Sequence, residues 1–94
     1  LVWFETTASP SQALLSWWVY LYDQDAPLFN LYRSVPGGQW EQVTSIPVTP
    51  VSIDANMAVY TYTDARVQPG VTYLYQLEGE NGEAFGPWQV RVPT

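Results

Sequence analysis

The chain contains no histidine, no cysteine and no lysine. Without imidazole or thiolate it lacks the usual general base, the strongest nucleophile and the common soft metal ligands. Without cysteine no disulfide supports the fold, and that absence fits any compartment, since only disulfides report oxidising surroundings. Charge is scarce as well: 13% of the 94 residues, as three arginines against nine carboxylates, net −6. Such a balance repels phosphate backbones and argues against nucleic acid and anionic lipid surfaces as partners. No apolar run is long enough to insert into a membrane as a spanning helix. No stretch keeps helical apolar spacing over a useful length.

What remains is apolar and aromatic. Hydrophobic residues make up 47% of the chain, with five Trp, seven Tyr and three Phe. This is not a disordered composition. The length fits one domain, residues 1–94. The chain opens at Leu1, with no initiator Met and no signal peptide, so it reads as a mature or excised piece of a longer protein.

Alternating apolar and polar residues between Pro, Gly, Asn and Asp punctuation predict seven strands. These are 1–7, 12–20, 28–34, 39–43, 59–63, 72–80 and 86–92. Pro36-Gly37-Gly38 and Asn81-Gly82 read as hairpin turns. The stretch 46–58 carries Pro47 and Pro50 and reads as loop or frayed edge strand. Tyr73, three residues after Gly70, stands where a tyrosine corner belongs, its hydroxyl serving a backbone group near 67–70. The architecture predicted is an all-β, immunoglobulin-like, seven-stranded antiparallel sandwich.

A family resemblance rests on the order of several short motifs. These are Leu15-Ser16-Trp17, Phe29-Asn30-Leu31-Tyr32-Arg33-Ser34, Tyr62-Thr63-Asp64, 69–77 from Pro69-Gly70 to Leu77, and Gly86-Pro87-Trp88 onward. Together they resemble a fibronectin type III domain, most of all those of bacterial secreted multidomain proteins. The resemblance spans nearly the whole chain and implies a core Trp17, a corner Tyr73 and an extracellular or cell-surface location. Two departures stand out. Trp18-Val19-Tyr20-Leu21-Tyr22 replaces the polar residues that usually follow the second-strand Trp, and no Arg-Gly-Asp loop is present.

Candidate chemistry is thin. Glu78 and Glu80 share a face of one strand, which does not set two carboxylates across a cleft as a glycosidase requires. Asp23 and Asp25 have alternate spacing suited to calcium, but lack the Gly pivot and closing Glu of a calcium loop. Asp64 reads as a turn residue capping a strand end, and Pro47-Val48-Thr49-Pro50 as a rigid loop. No cofactor is implied, and the chain does not read as an enzyme.

The aromatic surplus carries the functional reading. Trp17, Phe29, Tyr62, Tyr73, Tyr75, Trp88 and Phe4 fit the inner faces, and alternation then turns Trp3, Trp18, Tyr20 and Tyr32 outward. Trp3 beside Trp18, and Tyr32 beside Trp40, are expected as two outer clusters, with Tyr22 beyond the second strand. The acidic residues are expected in turns and at Glu78 and Glu80, away from Trp3, Trp18 and Tyr20. Exposed Trp and Tyr are hot-spot residues. The expected role is a non-catalytic structural or protein-interaction module, associating with copies of itself or neighbouring domains. The alternative is a carbohydrate-binding module, with Trp18, Tyr20 and Tyr22 as a stacking platform beside Asp23 and Asp25. An engineered binder fits less well, because these aromatics lie in strands rather than loops.

Overall fold

The computed structural model describes residues 2–22, 24–45 and 47–94. Its strands are β1 (Val2–Ser9), β2 (Gln12–Tyr20), β3 (Phe29–Ser34), β4 (Glu41–Gln42), β5 (Ser52–Asp54), β6 (Met57–Asp64), β7 (Thr72–Gly79) and β8 (Ala84–Arg91). They form two four-stranded antiparallel sheets, ordered β1-β2-β6-β5 and β4-β3-β7-β8. None of the described residues is helical.

The period of two explains why the sheets stack. In β2, Ala13, Leu15, Trp17 and Val19 all point inward and are buried. Tyr73, Tyr75 and Leu77 of β7 answer them from the other sheet. Trp17 lies at the centre, stacked on Tyr60 at 5.4 Å and meeting the edge of Phe29 at 6.0 Å. Phe4 of β1 stacks on Trp88 of β8 at 4.0 Å with the rings 5° from parallel, closing one side of the core. Tyr60, left out of the core predicted from sequence, is fully buried, and its hydroxyl donates to the Pro27 carbonyl. Tyr62, expected inside, is only half-buried at the rim.

Eight strands replace the seven predicted. The eighth, β5, is a three-residue edge in the proline-bearing stretch, the edge-strand alternative of the two readings of that stretch. It pairs back on β6 through a two-residue turn at Ala55 and Asn56, both left-handed with φ of 47° and 69°. That is the twist a tight hairpin needs, but Ala-Asn lacks the usual glycine signal. The last strand begins at Ala84, two residues earlier than predicted, because the β7–β8 ladder slips between Tyr75 and Leu77 instead of ending. Gly86 makes the slip possible. Its φ is +105°, and a Cβ there would stand 2.9 Å from the Trp88 ring and 3.0 Å from the Tyr75 carbonyl oxygen.

The corner predicted at Tyr73 is present. The Gln68 N–H donates to the Tyr73 hydroxyl oxygen at 2.8 Å.

Candidate functional site

The register of the first sheet builds an aromatic row on its outer face. With Trp17 and Val19 inward, Trp18 and Tyr20 face outward. Trp3 stands directly across from Trp18, and Trp18 across from Val59 of β6. Tyr20 stands across from Met57. Trp3 is 63% exposed and Tyr20 41%, whereas Trp18, flanked on both sides, is half-buried. Just past β2, Tyr22 is exposed and its ring lies 4.6 Å from that of Tyr20. Trp3, Trp18, Tyr20 and Tyr22 thus form one surface.

Tyr32 and Trp40 do not belong to it. Tyr32 faces out from β3, in the opposite sheet, between Gln42 and Gln76. It is half-buried, and its hydroxyl donates to Glu78 Oε1 at 3.1 Å. Burial, then the hydrogen bond and charge of Glu78, raise its phenol above the usual value. Trp40, exposed, precedes β4. The two outer surfaces therefore sit back to back. Nor are carboxylates kept away from the aromatics: Trp3 Nε1 donates to Glu5 Oε1 at 3.3 Å. The expected separation overlooked Glu5, which alternation places on the face of Trp3.

Where the aromatic row reaches the end of the sandwich, the β2–β3 loop and the β7–β8 hairpin enclose a cleft of about 500 Å³. Tyr20 and Tyr22 form one wall; Asp25, Glu80, Glu83 and the Phe29 ring form much of the rest. Glu80 ties hairpin to loop by accepting from the Leu28 N–H at 2.6 Å. Burial, with the Glu80 charge, pushes the Tyr60 phenol up to about 12. The sequence reading named Tyr20, Tyr22 and Asp25 but missed Glu83, Phe29 as a wall, and the pairing of Glu80 with this loop. In an immunoglobulin-like sandwich these two loops share one end, which was the signal available. Asp23, the other half of the calcium reading, lies outside the described residues. Among the described residues no three His, Cys, Asp or Glu side chains stand close enough to hold a metal ion.

A second missed feature lies between the sheets. Arg33 Nη1 donates to Asp64 Oδ2 at 2.6 Å, and Tyr75 donates to the same oxygen at 2.8 Å. Asp64 Oδ1 accepts from the Arg66 N–H at 3.1 Å, the capping role predicted for it. Arg33 also pairs with Glu41 and stands 5.6 Å over the Tyr73 ring. Burial alone would lower the Arg33 guanidinium, but Glu41 and Asp64 outweigh it and hold it above its ordinary value. Burial, then the Asp64 hydrogen bond, raises the Tyr75 phenol well above the usual range. Arg33 shares parity with Phe29 and Leu31, so an inward charge was legible. Its partner, 31 residues away, was not.

These features define an all-β sandwich with an exposed aromatic face and an acidic end cleft. No protein-family model matches the chain, and no curated protein sequence does. Solved structures are similar in fold. One is the solution structure of the sensor domain of the anti-sigma factor RsgI4 in Pseudobacteroides cellulosolvens. It matches with a TM-score of 0.68 at 13% identity, over 100% of this chain and 76% of that one. A shorter form of the same sensor domain matches with a TM-score of 0.65 at 13% identity, over 99% and 95%. At that identity the likeness establishes the fold alone.

Proposed function

We propose that this chain is a non-catalytic recognition module of an extracellular or cell-surface protein. It acts by contacting protein, either a copy of itself or a neighbouring domain, through the face bearing Trp3, Trp18 and Tyr20. The observation that carries this reading is the cross-strand row of Trp3 and Trp18 with Tyr20 beside it, in which Trp3 and Tyr20 are left open to solvent. Covering a large aromatic side chain is worth roughly 2–3 kcal/mol. The lack of lysine leaves few charges to keep such a face solvated. The fibronectin type III resemblance and the sensor-domain neighbours both support a module that binds rather than catalyses. The double variant Trp18→Ser with Tyr20→Thr tests this. By sedimentation velocity it should stay monomeric at concentrations where the parent chain associates. Equal association of both would exclude the face.

A second reading is favoured by one observation, the Tyr20–Tyr22 pair forming a wall of the acidic cleft. Rings and carboxylates placed together can stack on a sugar and bind its hydroxyls. Retardation in gels containing plant or bacterial polysaccharides tests it. Retardation lost in Tyr22→Ala, with no change in oligomeric mass, would support sugar binding in place of self-association.

A further inference from the structure

The two sheets have four edges, and three are blocked. β4 offers two residues and β5 three. β8 is broken by its register shift, by Gly86 at positive φ and by Pro87, which has no N–H to give. β1 is different. It runs eight residues, Val2–Ser9, with no proline, no bulge and one charge, Glu5. Among the described residues its only ladder partner is β2. Among the described residues no other backbone hydrogen bond reaches residues 2–9. An edge this long and regular is a template for another strand.

The strand fits itself best in one register. Paired antiparallel with its own copy about a two-fold axis, each residue must oppose one that faces the same side of the sheet. The axis must therefore pass through a residue, not between two. An axis at Glu5 sets Glu5 against its copy, a like-charge pair. An axis at Thr7 carries Trp3 and Phe4 past Ser9, off the end of the partner strand. An axis at Thr6 avoids both. It sets Trp3 opposite Ser9 of the second copy, Phe4 opposite Ala8 and Glu5 opposite Thr7.

We propose that β1 pairs antiparallel with β1 of a second copy of this chain, about a two-fold axis at Thr6. The two β1-β2-β6-β5 sheets become one continuous sheet, with both Trp3 side chains on its outer face. This rests on the reading that the chain associates with itself, and it names the contact.

Charge at Thr7 tests it. Thr7 is exposed, so its replacement leaves the core untouched, and only the Thr6-centred register sets it against Glu5 of the second copy. Dimer dissociation constants are measured by sedimentation equilibrium for the parent chain, Thr7→Glu, Thr7→Lys and Thr63→Lys. Thr63 is exposed on the same face, two strands inward. Thr7→Glu should weaken the dimer and Thr7→Lys tighten it, each by roughly two- to thirty-fold from two symmetry-related pairs. Thr63→Lys should change it by much less. A parent chain that is monomeric throughout, or Thr7→Lys and Thr63→Lys acting alike, overturns the proposal. Dimers insensitive to charge at Thr7 but lost in the Trp18→Ser, Tyr20→Thr variant overturn the edge contact and leave the aromatic face standing. Dimers sensitive at Thr7 but retained in that double variant uphold the edge and remove the face.

Discussion

Arg33 on β3 and Asp64 at the end of β6 join the two sheets through a buried ion pair, 2.6 Å between Nη1 and Oδ2. Tyr75, on β7, donates to the same Asp64 oxygen, so three strands from two sheets converge on one carboxylate. Breaking a buried pair by removing one partner typically costs about 3–5 kcal/mol, and for Asp64→Ala the remaining Glu41 contact of Arg33 places the loss toward the lower end. Asp64→Ala should therefore remove a large share of the stability, since a small domain holds only about 5–10 kcal/mol in all. Arg33→Met combined with Asp64→Leu removes both charges and should recover part of that loss. Urea denaturation of the three variants checks the order.

Trp17→Ala should lower the unfolding midpoint steeply. The ring is fully buried among Phe4, Phe29 and Tyr60, and truncating a large core aromatic costs about 3–5 kcal/mol. Trp17→Phe should be milder than its lost volume suggests. The indole Nε1 has no hydrogen-bond partner among the described residues, and Phe removes that buried donor. Thermal melts of both variants check this, and equal midpoints would contradict it.

Tyr73→Phe deletes the hydroxyl that accepts from the Gln68 N–H. It should lower stability by about 0.5–1.5 kcal/mol and leave association unchanged. An unaltered denaturation midpoint would show that the corner contributes nothing.

Alkaline pH should unfold the chain. Tyr60 and Tyr75 both hold their protons more tightly in the fold than a free phenol does, because burial disfavours the phenolate. Below about pH 10, where an unfolded tyrosine stays protonated, their contribution is complete. As pH rises further the unfolded chain loses protons that the folded chain keeps, so stability falls with pH. The loss runs from about 10 to about 12 for Tyr60 and continues higher for Tyr75. Urea midpoints between pH 8 and 12 follow it, and Tyr75→Phe should flatten the upper part of the decline.

Sheet parity was legible because it depends on each residue's immediate neighbours. Trp17 inward, with Trp3 and Trp18 outward and adjacent, follows from alternation, and β2 has the predicted bounds. Features requiring two distant segments were not legible. The Arg33–Asp64 bridge and the meeting of Asp25 with Glu80 and Glu83 depend on which strands become neighbours. The β5–β6 hairpin was missed for a local reason, since Ala55 takes a left-handed conformation usually left to Gly or Asn. Alternation also turns Tyr32 outward on the opposite sheet from Trp3, as its pairing with Gln42 and Gln76 shows.

Hydroxyl-radical footprinting across a concentration series tests the central claim, that the Trp3, Trp18 and Tyr20 face is a contact surface. Trp3, Tyr20 and Trp40 are all exposed, and Trp40 lies outside that face. Oxidation of Trp3 and Tyr20 should fall as concentration rises, while oxidation of Trp40 stays constant and serves as the internal standard. Constant oxidation of Trp3 and Tyr20 while sedimentation reports a growing mass would contradict the account, as would protection of Trp40 in their place.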